Sequence, residues 1–254
     1  MLCTRCHHFE AAPDGVLCTQ CAAPTGFQAL PAGAAPTAWL RSPVGLGRAA
    51  AVMLGLVAAA DLFSLGAGAL MYDASGDLAA GDFGDAVVRR ADQADVLYTV
   101  ASAAQSVTLI ACAIVYLNWF QRVRVNAEAF DSSGHSKKRG WTIWAWFVPI
   151  VNLWFPRRIA LDIWDASSPW GKPRGHGLVN TWWTLWIVAL FAGRVGYSAY
   201  QRADTAQEIH DATVQAMFAD ALDLWAALFA VLVVLRLTRM QDEKAHQGPV
   251  PVAA

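Results

Sequence analysis

Five cysteines occur in the 254-residue chain, and four of them fall in its first 21 residues as two pairs, Cys3-Thr-Arg-Cys6 and Cys18-Thr-Gln-Cys21. Each pair makes a tight turn, and the eleven residues between the pairs suffice for a small hairpin, so four thiolates can meet around one tetrahedral zinc ion. A stretch this short has no core of its own, and metal binding would supply its folding free energy. Three other chemistries fit less well. Cys3-Thr-Arg-Cys6-His7 matches a haem-attachment pattern, which requires export and leaves the second pair unexplained. Disulfides need an oxidising compartment, and a redox CxxC belongs on a βαβ unit for which there is no room. The expected cofactor is a structural zinc held by Cys3, Cys6, Cys18 and Cys21. Cys112, in an apolar run, reads as a packing residue.

A second set of reactive side chains, Asp61, Arg194, Asp220 and Asp223, interrupts runs that are otherwise apolar. Charges at membrane depth are costly and mark function by default. At about 1.5 Å of rise per helical residue, Arg194 and Asp220 each lie about 9 Å inside the ends of their runs. Matching depth on neighbouring antiparallel helices predicts an ion pair that fixes their packing, with Asp223 one turn further along. Asp61 and Asp223 come out at about 16 and 14 Å, deep enough to share a proton. Gly55, Ala59, Gly66 and Gly68 predict close helix contacts along the first run.

The elements that hold these residues follow from composition. A chain that is 56% hydrophobic and 15% charged, with mean hydropathy +0.34, is too apolar for an ordinary soluble domain. Four runs, 49–72, 96–120, 178–200 and 214–237, have the length needed to cross a hydrocarbon layer of about 30 Å. In lipid the backbone must satisfy its own hydrogen bonds, and nothing alternates as a barrel strand would, so the fold class is all-α integral membrane with four transmembrane helices. The domain layout is a zinc ribbon over 1–22, a Pro/Ala/Gly-rich linker over 23–47, a membrane domain over 48–240 and a disordered cytoplasmic tail over 241–254. A flexible linker of this length would reach roughly 25–30 Å. The N-terminal residues do not resemble a signal peptide, so the first run is expected to act as an uncleaved anchor.

Charge orients the spans. Residues 121–177 carry nine basic and four acidic side chains, whereas the two loops on the other side carry three basic and nine acidic. The positive-inside rule then places both termini in the cytoplasm of a cell-membrane protein. A net charge of -1, and Arg5 as the only base in the ribbon, argue against a nucleic-acid partner.

Nine of the twelve tryptophans fall between Trp141 and Trp186. The 15-residue stretch 141–155 is too short to cross, contains Pro149 and runs into Pro156, so it is expected to kink and to be re-entrant or interfacial. A fifth crossing there would put one of its flanking basic clusters outside. The tryptophans themselves read first as an aromatic belt at the membrane boundary. Arg158 and Asp162 are spaced as an i,i+4 pair on an interfacial helix over the residues that follow. Asn152, between two prolines, reads as a partner for carbonyls that the prolines free, with ligand coordination at a broken helix as the alternative.

The run Trp146-Phe147-Val148-Pro149-Ile150-Val151-Asn152-Leu153-Trp154-Phe155-Pro156, followed by Asp162-Ile163-Trp164-Asp165-Ala166-Ser167, resembles the signature of the bacterial domain-of-unknown-function family 4328. The resemblance extends over roughly 48–240. It implies a multi-pass membrane bundle, often with a zinc-ribbon-like or proline-rich extension, and carries no catalytic residues.

No phosphate loop, H-E-x-x-H or G-x-S-x-G pattern occurs, and no nucleophile–base pair lies in the runs. The expected function is a non-enzymatic interaction or scaffold protein, anchored in the bilayer, whose ribbon docks a cytoplasmic protein. The alternative is a small transporter or channel subunit, acting as a homo-oligomer, that uses Asp61, Asp223 and the segment around Trp146, Pro149, Asn152, Trp154 and Pro156.

Overall fold

The computed structural model describes residues 40–247. The expected ribbon over 1–22, most of the expected linker and the last seven residues of the chain lie outside them.

Prolines bracket the helices. None occurs between Pro43 and Pro149, or between Pro173 and Pro249, and a proline-free apolar chain in lipid has only the helix open to it. Four helices long and apolar enough to cross a membrane result: α1 (Val44–Ala79), α2 (Asp85–Phe130), α5 (Gly177–Tyr200) and α6 (Ala206–Gln247). Between α2 and α5 lie a single turn, α3 (Trp141–Trp144), a 3-10 turn (Val151–Leu153) and α4 (Phe155–Ser167). Among the described residues there is no strand. The outward face of α2 is apolar, with Val107, Ile110 and Ile114 all exposed, as contact with lipid requires.

The helices overrun the expected spans. The 46 residues of α2 reach about 69 Å and the 42 of α6 about 63 Å, far beyond a 30 Å layer. Much of what read as an acidic loop over 73–95 is therefore helical. There Arg90 pairs with Asp77 at 2.8 Å, the His210 ring lies 4.0 Å from that of Tyr72, and Met71, Ala74 and Ala94 form a small core. The first helix starts at Val44, inside the expected linker, and α6 runs past 240. Residues 241–247 do not form a disordered tail, because Gln241 and Lys244 are buried. Gln241 Nε2 donates to the Val123 carbonyl at 2.7 Å and to Ser167 Oγ at 3.0 Å. The Lys244 ammonium donates to the carbonyls of Ala166 and Ser168 and lies 3.7 Å above the Trp170 ring. Burial lowers the Lys244 pKa, opposed in part by the charge of Asp131.

Packing runs in the order α2, α1, α6, α5. The outer members of that row, α2 and α5, scarcely touch along their length. They meet at two aromatic pairs, Tyr98 with Tyr200 at 5.4 Å between ring centroids and Tyr116 with Trp182 at 6.4 Å. The close approaches agree with those expected only in part. A Cβ on Gly55 or Gly66 would meet nothing within 4 Å, whereas one on Gly68 would lie 2.8 Å from Met217 Cγ and reach Tyr98 at 4.0 Å. Two further tight points are Gly47 against Thr238 and Gly196 against the backbone of Ala216.

The 141–155 stretch breaks as its prolines require. Val151 N–H donates to the Pro149 carbonyl at 2.7 Å, a γ-turn that holds Ile150 at φ 67°, a strained conformation for a β-branched residue. Pro156 sits in the first turn of α4, where its missing N–H costs no helical hydrogen bond. The Asn152 side chain makes no hydrogen bond among the described residues. The Leu153 carbonyl is met instead by the indole N–H of Trp183 at 3.0 Å.

The tryptophans are more core than belt. Trp119, Trp164, Trp182 and Trp183 are buried and Trp146 packs edge-on against Trp186, whereas Trp144, Trp154 and Trp170 are exposed. Rings of this size gain from offset and edge-to-face contacts, and α4, which touches α2, α5 and α6, supplies Ile159, Ile163 and Trp164 to the same core. Arg158 and Asp162 do pair, at 3.3 Å.

Candidate functional site

Inside the bundle, three helices bring polar side chains to one point. Asp61 and Ser64 are one turn apart on α1 and both are buried. Gln105 projects from α2, and Asp220 and Asp223 lie one turn apart on α6. The Gln105 amide nitrogen donates to Asp61 Oδ1 and to Asp220 Oδ1, each at 3.0 Å, so one NH2 group bridges two carboxylates. Ser64 Oγ donates to Asp220 Oδ2 at 2.7 Å. Asp61 is 1% exposed, and its Oδ2 has no hydrogen-bond partner among the described residues.

Asp61, Gln105, Asp220 and Asp223 line a cavity of about 510 Å³ that also takes in Tyr98, Ser102, Tyr197 and Tyr200. Among the described residues no lysine, arginine or histidine lines it. An ionised carboxylate buried without a counter-charge is expensive, and two others in the same cavity add repulsion. A proton or a cation in the cavity would offset that cost.

The four intramembrane charges separate. Asp61, Asp220 and Asp223 line the one cavity, and Arg194 stands apart, exposed beside a surface groove with Phe191, Ser198, Arg202 and Gln215. The expected Arg194–Asp220 ion pair does not form. Depth along a helix is set by rise, but facing is set by turn: α5 packs on α6 through Gly196, and two residues away, about 200° around the helix, Arg194 points elsewhere. Asp220 takes its hydrogen bonds from Ser64 and Gln105 instead.

Gln105 and Ser64 were not among the expected site residues. The available signal was an uncharged amide with Ser102 and Ser106 on one face of the run 96–120. Neutral polar groups at membrane depth also need partners. From the broken segment, Trp146 reaches the neighbourhood of the site and lines an adjoining cavity, whereas Trp154 is exposed, away from it. The four expected zinc ligands lie outside the described residues, and among the described residues no three His, Cys, Asp or Glu side chains, the three aspartates of the cavity included, are placed to hold one metal ion together.

Long apolar helices enclosing a polar centre define a helical bundle of the membrane-spanning class. The chain belongs to the DUF4328 family, a domain of unknown function whose profile matches residues 86–239. The match takes in Gln105, Asp220, Asp223 and the Trp/Pro segment but begins after α1, so Asp61 and Ser64 fall outside it. No curated protein and no solved structure matches the chain.

Proposed function

We propose that the protein is a non-enzymatic membrane protein whose bundle takes up a proton or cation at Asp61, Asp220 and Asp223, in the manner of a small transporter or channel subunit. The observation that carries this reading is the Gln105 amide shared between Asp61 and Asp220, with the second Asp61 oxygen buried and unpartnered. A buried carboxylate oxygen with no donor from the helices around it favours a bound proton or cation at that point. Both termini face the cytoplasm of the plasma membrane in this reading, with the 141–155 segment at the cytoplasmic interface. In proteoliposomes, proton or sodium flux is expected from the wild type and is expected to be lost in Asp61→Asn with insertion unchanged. Equal flux from wild type, Asp61→Asn and Asp223→Asn removes the reading.

A second role is independent of the first. The spacing of Cys3, Cys6, Cys18 and Cys21 supports a cytoplasmic zinc ribbon that docks a protein partner. One zinc per chain is expected in the wild type and none when all four are changed to Ser. Crosslinking in native membranes should then lose a partner in the quadruple variant. Identical partner sets overturn the docking role even where zinc is bound.

A further inference from the structure

Beside the carboxylate cavity lies a second one, of about 360 Å³, whose lining includes Tyr116, Trp146, Trp182 and Trp186. The two share Val57, Leu109 and Asp223, so they meet at a carboxylate. Together they make one chamber, acidic at one end and aromatic at the other. Its volume is in the range of sites for drug-sized molecules, roughly 300–1,000 Å³.

The chamber lies between α2 and α5, the two helices that scarcely touch. The aromatic pairs Tyr98–Tyr200 and Tyr116–Trp182 close its two ends, and between them the lips carry the exposed side chains of Leu109 on α2 and Tyr197 on α5. With helices long enough to cross a bilayer, a gap between two of them opens sideways into lipid. A solute reaching the chamber by that route must itself partition into the bilayer.

We infer that the ligand is an amphiphilic organic cation, a lipid-soluble ammonium or phosphonium, that enters between α2 and α5 and places its charge by Asp223 and its apolar groups against Trp146, Trp182 and Trp186. A small inorganic ion would satisfy the carboxylates and leave the aromatic half without a role. A neutral lipid would fill the aromatic half and leave the carboxylates without a counter-charge. One molecule with both properties matches the whole chamber, since aromatic faces take either apolar groups or the edge of a positive charge. The inference rests on the cation-binding reading above and narrows it to a ligand class.

The probe is radiolabelled tetraphenylphosphonium, measured at equilibrium on the full chain in nanodiscs, with tetramethylammonium as a cation lacking the apolar bulk. Saturable binding of one tetraphenylphosphonium per chain is expected, with much weaker binding of tetramethylammonium and weaker binding at acid pH, where protons compete for the carboxylates. Asp223→Asn and Trp186→Ala are each expected to weaken binding about tenfold or more. Trp186→Phe, which keeps an aromatic face, is expected to retain most of it, and this separates lost contact from lost folding. Absence of saturable binding, or equal affinity in wild type, Asp223→Asn and Trp186→Ala, overturns the ligand class. So does a dimer whose second copy covers the gap and excludes the probe. If flux through Asp61 persists while the phosphonium fails to bind, the ligand class alone is wrong. If both fail, the cation-binding reading falls with it.

Discussion

Trp119→Ala is expected to lower the unfolding free energy by about 3–5 kcal/mol, read as a shift in the unfolding midpoint in mixed micelles of mild detergent and sodium dodecyl sulfate. Trp119 is fully buried and shares a core with Phe120, Val123, Val234 and Leu237. Its indole N–H donates to Thr238 Oγ1 at 2.9 Å. The same Thr238 side chain fills the space that a Cβ on Gly47 would occupy, against its Oγ1 and Cγ2. One position thus holds α1, α2 and α6 together: glycine on the first makes room for threonine on the third, which anchors tryptophan from the second. Truncation to alanine removes a large buried ring and leaves the threonine hydroxyl without its donor. Trp119→Phe keeps most of the volume and separates the hydrogen bond, expected to contribute about 1 kcal/mol. A Trp119→Ala variant within about 1 kcal/mol of wild type would mean that the helices repack without this joint.

The second large effect is expected at Gln105. Gln105→Leu removes both hydrogen bonds that its amide makes, leaving Asp61 without a partner on either oxygen and Asp220 with Ser64 alone. At about 1 kcal/mol for each bond in a membrane bundle, the loss should be about 2 kcal/mol in the same unfolding assay. Flux should also fall, because the carboxylates lose the group that sets their separation. The diagnostic comparison is Gln105→Leu in the background of Asp61→Asn with Asp220→Asn, where the uncharged amides can pair with each other. There the leucine should cost less than in the wild type, giving a non-zero coupling energy for the cluster. Additive effects would show that Gln105 acts on packing and not through the carboxylates.

The contrast between Arg194 and Gln105 shows where one-dimensional information stops. Charge and depth are both readable along a chain, and by those criteria Arg194 and Asp220 are matched. Which way a helix face points is decided by its neighbours. Gly196 lies against the backbone of Ala216, and that contact turns Arg194 out of the bundle. Gln105, carrying no charge, gave no comparable signal, yet it bridges the cluster. Among the glycines the expectation held at Gly68, which lies against Met217, but not at Gly55 and Gly66, which face open space, and it missed Gly47 and Gly196. The tryptophans were expected at the boundary because the ring prefers it, but burying a ring under α4 in a packed core satisfies the same preference for apolar surroundings.

What the sequence determined by itself is the architecture at low resolution. Long apolar runs free of proline must become helices in lipid, because the backbone has no other partners there, and the prolines of the 141–156 stretch must break it. The ionisable groups at depth, Asp61, Asp220 and Asp223, were equally visible, because a charge in an apolar run stands out whatever its surroundings. Only the tertiary structure decided that α1 stands between α2 and α6, that α2 and α5 stay apart, and that three of the four charges share one cavity from which the fourth is excluded. Helix rotation and order have that power because side chains interact over a few ångströms, whereas hydropathy, read along the chain, carries depth and nothing of direction.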